Sequence, residues 1–146
     1  MPTVTRSRTI EAGADDIWAV VSDPGQFTRW WPDVVRVEEA TPEAWTKVLS
    51  SGKGKAVRAD FTRVEAEPAK RIAWRQELEE SPFERILSEA VTEVKLSPAD
   101  GGATKVQLRT RQRPRGWARF GSFLFRRAAR RKLDEALDGL EQAVGT

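Results

Sequence analysis

The sequence predicts an α+β domain: a seven-stranded antiparallel curved sheet, two short helices after its first strand, and a long C-terminal helix across the concave face. Three observations carry this expectation. Apolar residues recur at helical spacing in two places, directly after the first strand and again from about residue 117 to the end. Between Val34 and Arg113 the pattern changes to period two, in short runs separated by turn residues. A chain of 146 residues that is 39% hydrophobic and 32% charged suits one core, so residues 1–146 are assigned to a single domain.

Residues 4–10 read as the first strand. Ala12-Gly13-Ala14-Asp15-Asp16 then opens a helix, with two aspartates where the helix dipole favours anions. Ile17, Trp18, Val20 and Val21 give it a buried face. Asp23-Pro24-Gly25-Gln26 starts a second helix with a capping residue, proline at the first helical position and Gln three residues after the cap. Phe27, Trp30 and Trp31 form its inward side, and Pro32 disfavours helical geometry at Trp31, so this helix is short.

Six further strands are expected at 34–38, 44–50, 56–65, 71–77, 85–96 and 104–112. Thr41-Pro42, Ser51-Gly52-Lys53-Gly54, Glu67-Pro68, Ser81-Pro82 and Asp100-Gly101-Gly102 supply the turns. In the last strand Thr104, Val106, Leu108 and Thr110 share one face, while Lys105, Gln107, Arg109, Arg111 and Arg113 share the other. The closing helix runs from after Gly116 to about Val144. Ala118, Ser122, Phe125, Ala129, Leu133, Ala136, Leu140 and Val144 follow one line along it, and Trp117, Phe120, Leu124 and Ala128 lie nearly opposite. The first line is rich in small residues, so a helix crossing a curved sheet on this side leaves volume between the layers.

Composition removes whole classes of chemistry. The chain has no cysteine, histidine or tyrosine, which excludes thiol nucleophiles, disulfides, Cys/His zinc sites, imidazole acid–base catalysis and Ser-His-Asp hydrolysis. Any chemistry falls to Asp, Glu, Lys, Arg, Ser, Thr, backbone groups or a bound cofactor. Ser51-Gly52-Lys53-Gly54-Lys55-Ala56 fails the phosphate-loop pattern and reads as a hairpin tip. No dinucleotide fingerprint or metal-ligand cluster is present in the sequence, and no cofactor or metal is expected. No uncharged run exceeds six residues and the first residues lack a signal-peptide stretch, so a soluble, cytoplasmic protein is expected.

The formal charge of +3 is unevenly placed. Ten basic residues and no acid lie between Arg109 and Lys132, leaving −7 on the rest of the chain. Such a surface attracts phosphates or anionic membrane, with Arg126, Arg127, Arg130 and Arg131 as its contacts, or it is a solvated face. Trp117, Phe120, Phe123, Leu124 and Phe125 among these arginines have the composition of an interfacial helix. Nucleic acid is the less favoured partner, because no recognised binding motif accompanies the charge.

The element order is that of the helix-grip fold, and particular residues add a resemblance. Ile10-Glu11-Ala12, Asp16-Ile17-Trp18-Ala19-Val20-Val21-Ser22-Asp23-Pro24, Phe27, Trp30-Trp31-Pro32 and Val37 resemble the opening of the polyketide cyclase/dehydrase-like branch of the SRPBCC superfamily. That superfamily also holds the StAR-related lipid-transfer domains, the birch-pollen-allergen proteins and the coenzyme Q-binding proteins. Ile72-Ala73-Trp74 resembles its mid-sheet strand, and the run from Arg130 to Leu140 resembles its closing helix. The departures are Gly13, where many members have proline, and the missing His and Tyr that many family cyclases use.

The resemblance implies a deep apolar cavity between sheet and long helix. Six tryptophans and six phenylalanines supply lining, with Trp30, Phe61, Trp74, Thr92, Leu108, Phe125 and Ala129 expected in the wall. Three functions remain open: binding or transport of a small hydrophobic ligand (lipid, polyketide or isoprenoid-like), a polyketide aromatase/cyclase-type enzyme, or a basic adaptor binding anionic membrane or nucleic acid. For an enzyme, Glu89, Glu93 and Arg75 read as surface charges, while Thr92 and Thr110 are better placed to face inward. No catalytic residue and no oligomeric state is assigned.

Overall fold

The computed structural model describes residues 3–50, 54–81, 83–115 and 122–145. Strand β1 (Thr3–Ile10) is followed by helix α1 (Ala14–Val21), a 3-10 turn (Pro24–Gln26) and helix α2 (Phe27–Trp30). Then come β2 (Val34–Glu38), β3 (Ala44–Ser50), β4 (Ala56–Glu67), β5 (Arg71–Glu77), β6 (Leu87–Pro98), β7 (Thr104–Pro114) and helix α3 (Ser122–Gly145). The strands form one curved antiparallel sheet in the order β1-β7-β6-β5-β4-β3-β2, and α3 closes the helix-grip arrangement. No described helix is long and apolar enough to cross a membrane.

Alternation decides which side chains enter the core. On β7, Thr104, Val106 and Leu108 are buried, while Lys105 and Arg109 face water. Val94 and Leu96 of β6 and Ile72 and Trp74 of β5 continue the same inner face. Ile17, Val20 and Val21 of α1 and Phe27 and Trp30 of α2 cover one end of it. From above, α3 contributes Leu133, Ala136, Leu137, Leu140 and Ala143, all buried. Leu137 and Ala143 lie off the single line read from the sequence, since the helix beds into the sheet and α2 at once.

Three anchors hold the C-terminal half of α3. Gly139 lies so close to α2 that a Cβ there would fall 2.4 Å from the Trp30 carbonyl oxygen. Arg29 of α2 donates to the Ala143 carbonyl (2.9 Å), satisfying an acceptor in the helix's last turn. Arg6 and Arg8 of β1 pair with Asp134 (2.8 Å) and Asp138 (2.5 Å) along its flank.

Several local expectations change. Gln26 does not complete a capping box: Asp23 accepts from the Gly25 N–H (3.0 Å), and the Gln26 amide oxygen accepts from Arg29 (2.7 Å), the arginine committed to α3. Arg85 and Ile86 are not strand; the N–H groups of Ile86 and Leu87 close a turn on the Phe83 carbonyl (3.1 and 3.0 Å). The expected turn residues Ser51–Lys53 and Pro82 lie outside the described residues, as do Trp117, Ala118, Arg119, Phe120 and the Phe123 side chain.

Candidate functional site

The inner face is filled at one end and open at the other. Under the N-terminal half of α3, between the helix and strands β3 to β7, lies a cavity of about 270 Å³. Its position follows from residue size: where α3 presents Leu137 and Leu140 the layers meet, and where it presents Ala129 they stay apart, with Leu133 at the boundary. The inward rows of the strands run from core into cavity. On β7, Leu108 gives way to Thr110 and Gln112; on β6, Val94 gives way to Thr92 and Ala90; on β5, Trp74 is followed by Gln76.

Five of the seven expected wall residues are here: Phe61, Trp74, Thr92, Phe125 and Ala129. Trp30 and Leu108 are not. Both are core side chains, 3% and 0% exposed, at the end where α2 and the leucines of α3 close the layers. Glu89 and Glu93 face the opposite side of the sheet, where Glu89 pairs with Arg111 (2.8 Å) and Glu93 with Arg71. The Thr92 and Thr110 hydroxyls lie 3.5 Å apart on the inner face. Arg126, Arg127, Arg130 and Arg131 are exposed on α3, with Arg131 pairing to Glu135 (3.2 Å), and Leu124 beside them is 67% exposed.

The residue that sequence reasoning missed is Lys47. It is 1% exposed, on the inner face of β3 between Trp45 and Leu49, and opposite Ala59, whose small side chain leaves room for the lysine stem. Its ammonium lies 3.8 Å from the ring centroid of Phe27, 4.6 Å from those of Trp31 and Phe61, and 5.4 Å from that of Trp74. Four π-faces offset part of the cost of removing the charge from water. Nothing else described does so: no hydrogen bond or carboxylate pairs with this amine among the described residues. The signal was present in the sequence, since Lys47 shares strand parity with Trp45 and Leu49.

Burial, and secondarily the charge of Lys132, hold the Lys47 ammonium well below the ordinary lysine value. The folded chain therefore binds this proton more weakly than the unfolded chain. Stability is lowest below the folded pKa and rises with pH between that value and the ordinary one. Lys47→Met keeps the stem and removes the charge. It is expected to stabilise the fold at pH 7 by about 1–3 kcal/mol, the cost of burying an unpaired polar group, with the gain shrinking toward pH 10. Thermal unfolding at both pH values checks this; a destabilised variant at pH 7 would mean that the four rings outweigh desolvation.

A curved antiparallel sheet gripping a long helix over an apolar cavity defines a helix-grip fold of the START-like kind. The family described as polyketide cyclase/dehydrase and lipid transport matches residues 1–145, and the chain belongs to it. No curated protein matches significantly. Among solved structures, the di-domain aromatase/cyclase BexL from the BE-7585A biosynthetic pathway is 23% identical with a TM-score of 0.80, covering 99% of this chain and 47% of its own. The chain thus spans about half the length of that two-domain protein. A START superfamily protein from Mycobacterium smegmatis is 13% identical with a TM-score of 0.79, covering 98% of this chain and 97% of its own. The Zhui aromatase/cyclase from Streptomyces sp. R1128 is 20% identical with a TM-score of 0.74, covering 99% and 93%. At these identities the likeness is one of fold.

Proposed function

We propose that the chain binds a small hydrophobic ligand in the cavity beneath the N-terminal half of α3. The observation that carries this reading is the contrast along one helix: Leu137 and Leu140 close the layers at one end, while the small Ala129 stands over the cavity and its aromatic lining at the other. The family description, which names lipid transport, supports it. An aromatase/cyclase activity, that of BexL and Zhui, is the second reading. Its supporting observation is Lys47, a buried amine among four aromatic rings which, when protonated, would polarise a ketone oxygen. Such chemistry also needs a proton acceptor, and the described lining contains no carboxylate, so binding is the reading we prefer.

Ala129→Trp would fill the cavity from the helix side without removing a core contact. It is expected to weaken binding of the neutral fluorescent probe N-phenyl-1-naphthylamine at least tenfold while leaving the thermal midpoint nearly unchanged. Unaltered probe affinity in the folded variant would reject this wall as the binding site.

A further inference from the structure

The chemistry of the lining goes further than an apolar guest. Its charged members are Lys47 and Lys132; its neutral polar members are Gln76, Gln112, Thr92 and Thr110; no acid is among the described lining residues. Carboxylates are not scarce elsewhere. The chain has 22 acidic residues, and the opposite face of the same sheet pairs Glu65 and Glu93 with Arg71, and Glu89 with Arg111. Arg71 and Arg111 on the convex face thus have anionic partners, whereas Lys47, on the inner face, has none among the described residues.

The surroundings of Lys47 leave one kind of partner. From α2 it faces Phe27 and Trp31, from β4 Phe61, and from β5 Trp74, none of them ionisable; from α3 the charged neighbour is Lys132, of like sign. Lys132 is exposed but lines the same cavity, and its like charge adds to the cost of a buried ammonium until an anion sits nearby. Resting on the binding reading above, we infer that the natural ligand is an amphiphile with a single acidic head, such as a carboxylate, which pairs with Lys47 while its apolar body lies along Trp31, Phe61 and Trp74. The cavity volume limits that body. At about 270 Å³ the space falls just under the roughly 300–1,000 Å³ typical of drug-sized ligands. Two fused rings or a short chain fit it better than a long acyl chain.

A matched pair of probes tests this: 2-naphthoic acid and its methyl ester, titrated against the wild-type protein and Lys47→Met by quenching of tryptophan fluorescence and by calorimetry. The wild type should bind the acid at least tenfold more tightly than the ester. Lys47→Met should lose that preference and keep the ester affinity. Equal binding of acid and ester by the wild type would overturn the acidic-head inference and leave the apolar-ligand reading standing. A preference retained in Lys47→Met would overturn the role of Lys47 and point to attraction by surface arginines instead. If the wild type binds neither probe and also fails to bind N-phenyl-1-naphthylamine, the cavity reading itself falls, and with it the inference.

Discussion

Phe27→Ala should lose about 3–5 kcal/mol of folding stability, the usual range for deleting a buried aromatic ring, and a large share of the roughly 5–15 kcal/mol that holds a domain together. Phe27 is 1% exposed and joins more rings than any neighbour on α2. It stacks on Trp30 (5.5 Å between centroids), meets Trp31 (6.3 Å) and Trp74 (5.3 Å) edge-on, and tilts against Trp45 (5.7 Å). Such contacts add to the burial of area, and the hole left behind borders four tryptophan rings that relax poorly. Urea unfolding of Phe27→Ala and the milder Phe27→Leu measures the effect. A loss under about 1 kcal/mol for the alanine variant, no more than an average point substitution costs, would mean that the aromatic cluster closes over the gap.

Gly139→Ala carries the second large effect, and its sign is the informative part. In an unobstructed helix this change stabilises by about 1 kcal/mol. Here the new methyl group would meet the Trp30 carbonyl oxygen at 2.4 Å, Trp30 Cα at 2.9 Å and its carbonyl carbon at 3.0 Å. All three are backbone atoms, so no side-chain rotation relieves the clash. The helix must lift from α2, loosening Leu137 and Leu140 together with the Arg29 bond to Ala143. A net loss of about 2 kcal/mol is expected, as for overpacking of a rigid site. A stabilised variant in the same urea series would show that α2 and α3 do not approach as described.

Much of this architecture was legible because parity and helical spacing are local properties. The strand at 104–112 could be oriented from its own residues, and the break after Trp30 followed from Pro32, which leaves Trp31 extended at ψ 130°. Parity stopped short at the bulges: Val35 and Val64 sit at register irregularities in β2 and β4 and are 55% and 54% exposed, although a strict alternation would have given each a fixed face. The site was harder. Parity gives the face of Leu108 and Thr110 alike, but which of the two meets the cavity depends on where α3 stands away from the sheet. That spacing is set by Gly139 against Trp30, more than a hundred residues apart in sequence. Lys47 was missed for a related reason, since its burial depends on rings from three other elements that come together only in the fold.

The separation between a filled end and an open end of one inner face has an evolutionary corollary. Gln76, Thr92, Thr110, Gln112 and Phe125 line the hollow and are only partly buried, so they can mutate without disturbing the cluster around Phe27. Selection can therefore act on these positions while the scaffold stays the same, a modularity that lets one architecture vary the lining of its hollow independently of its core.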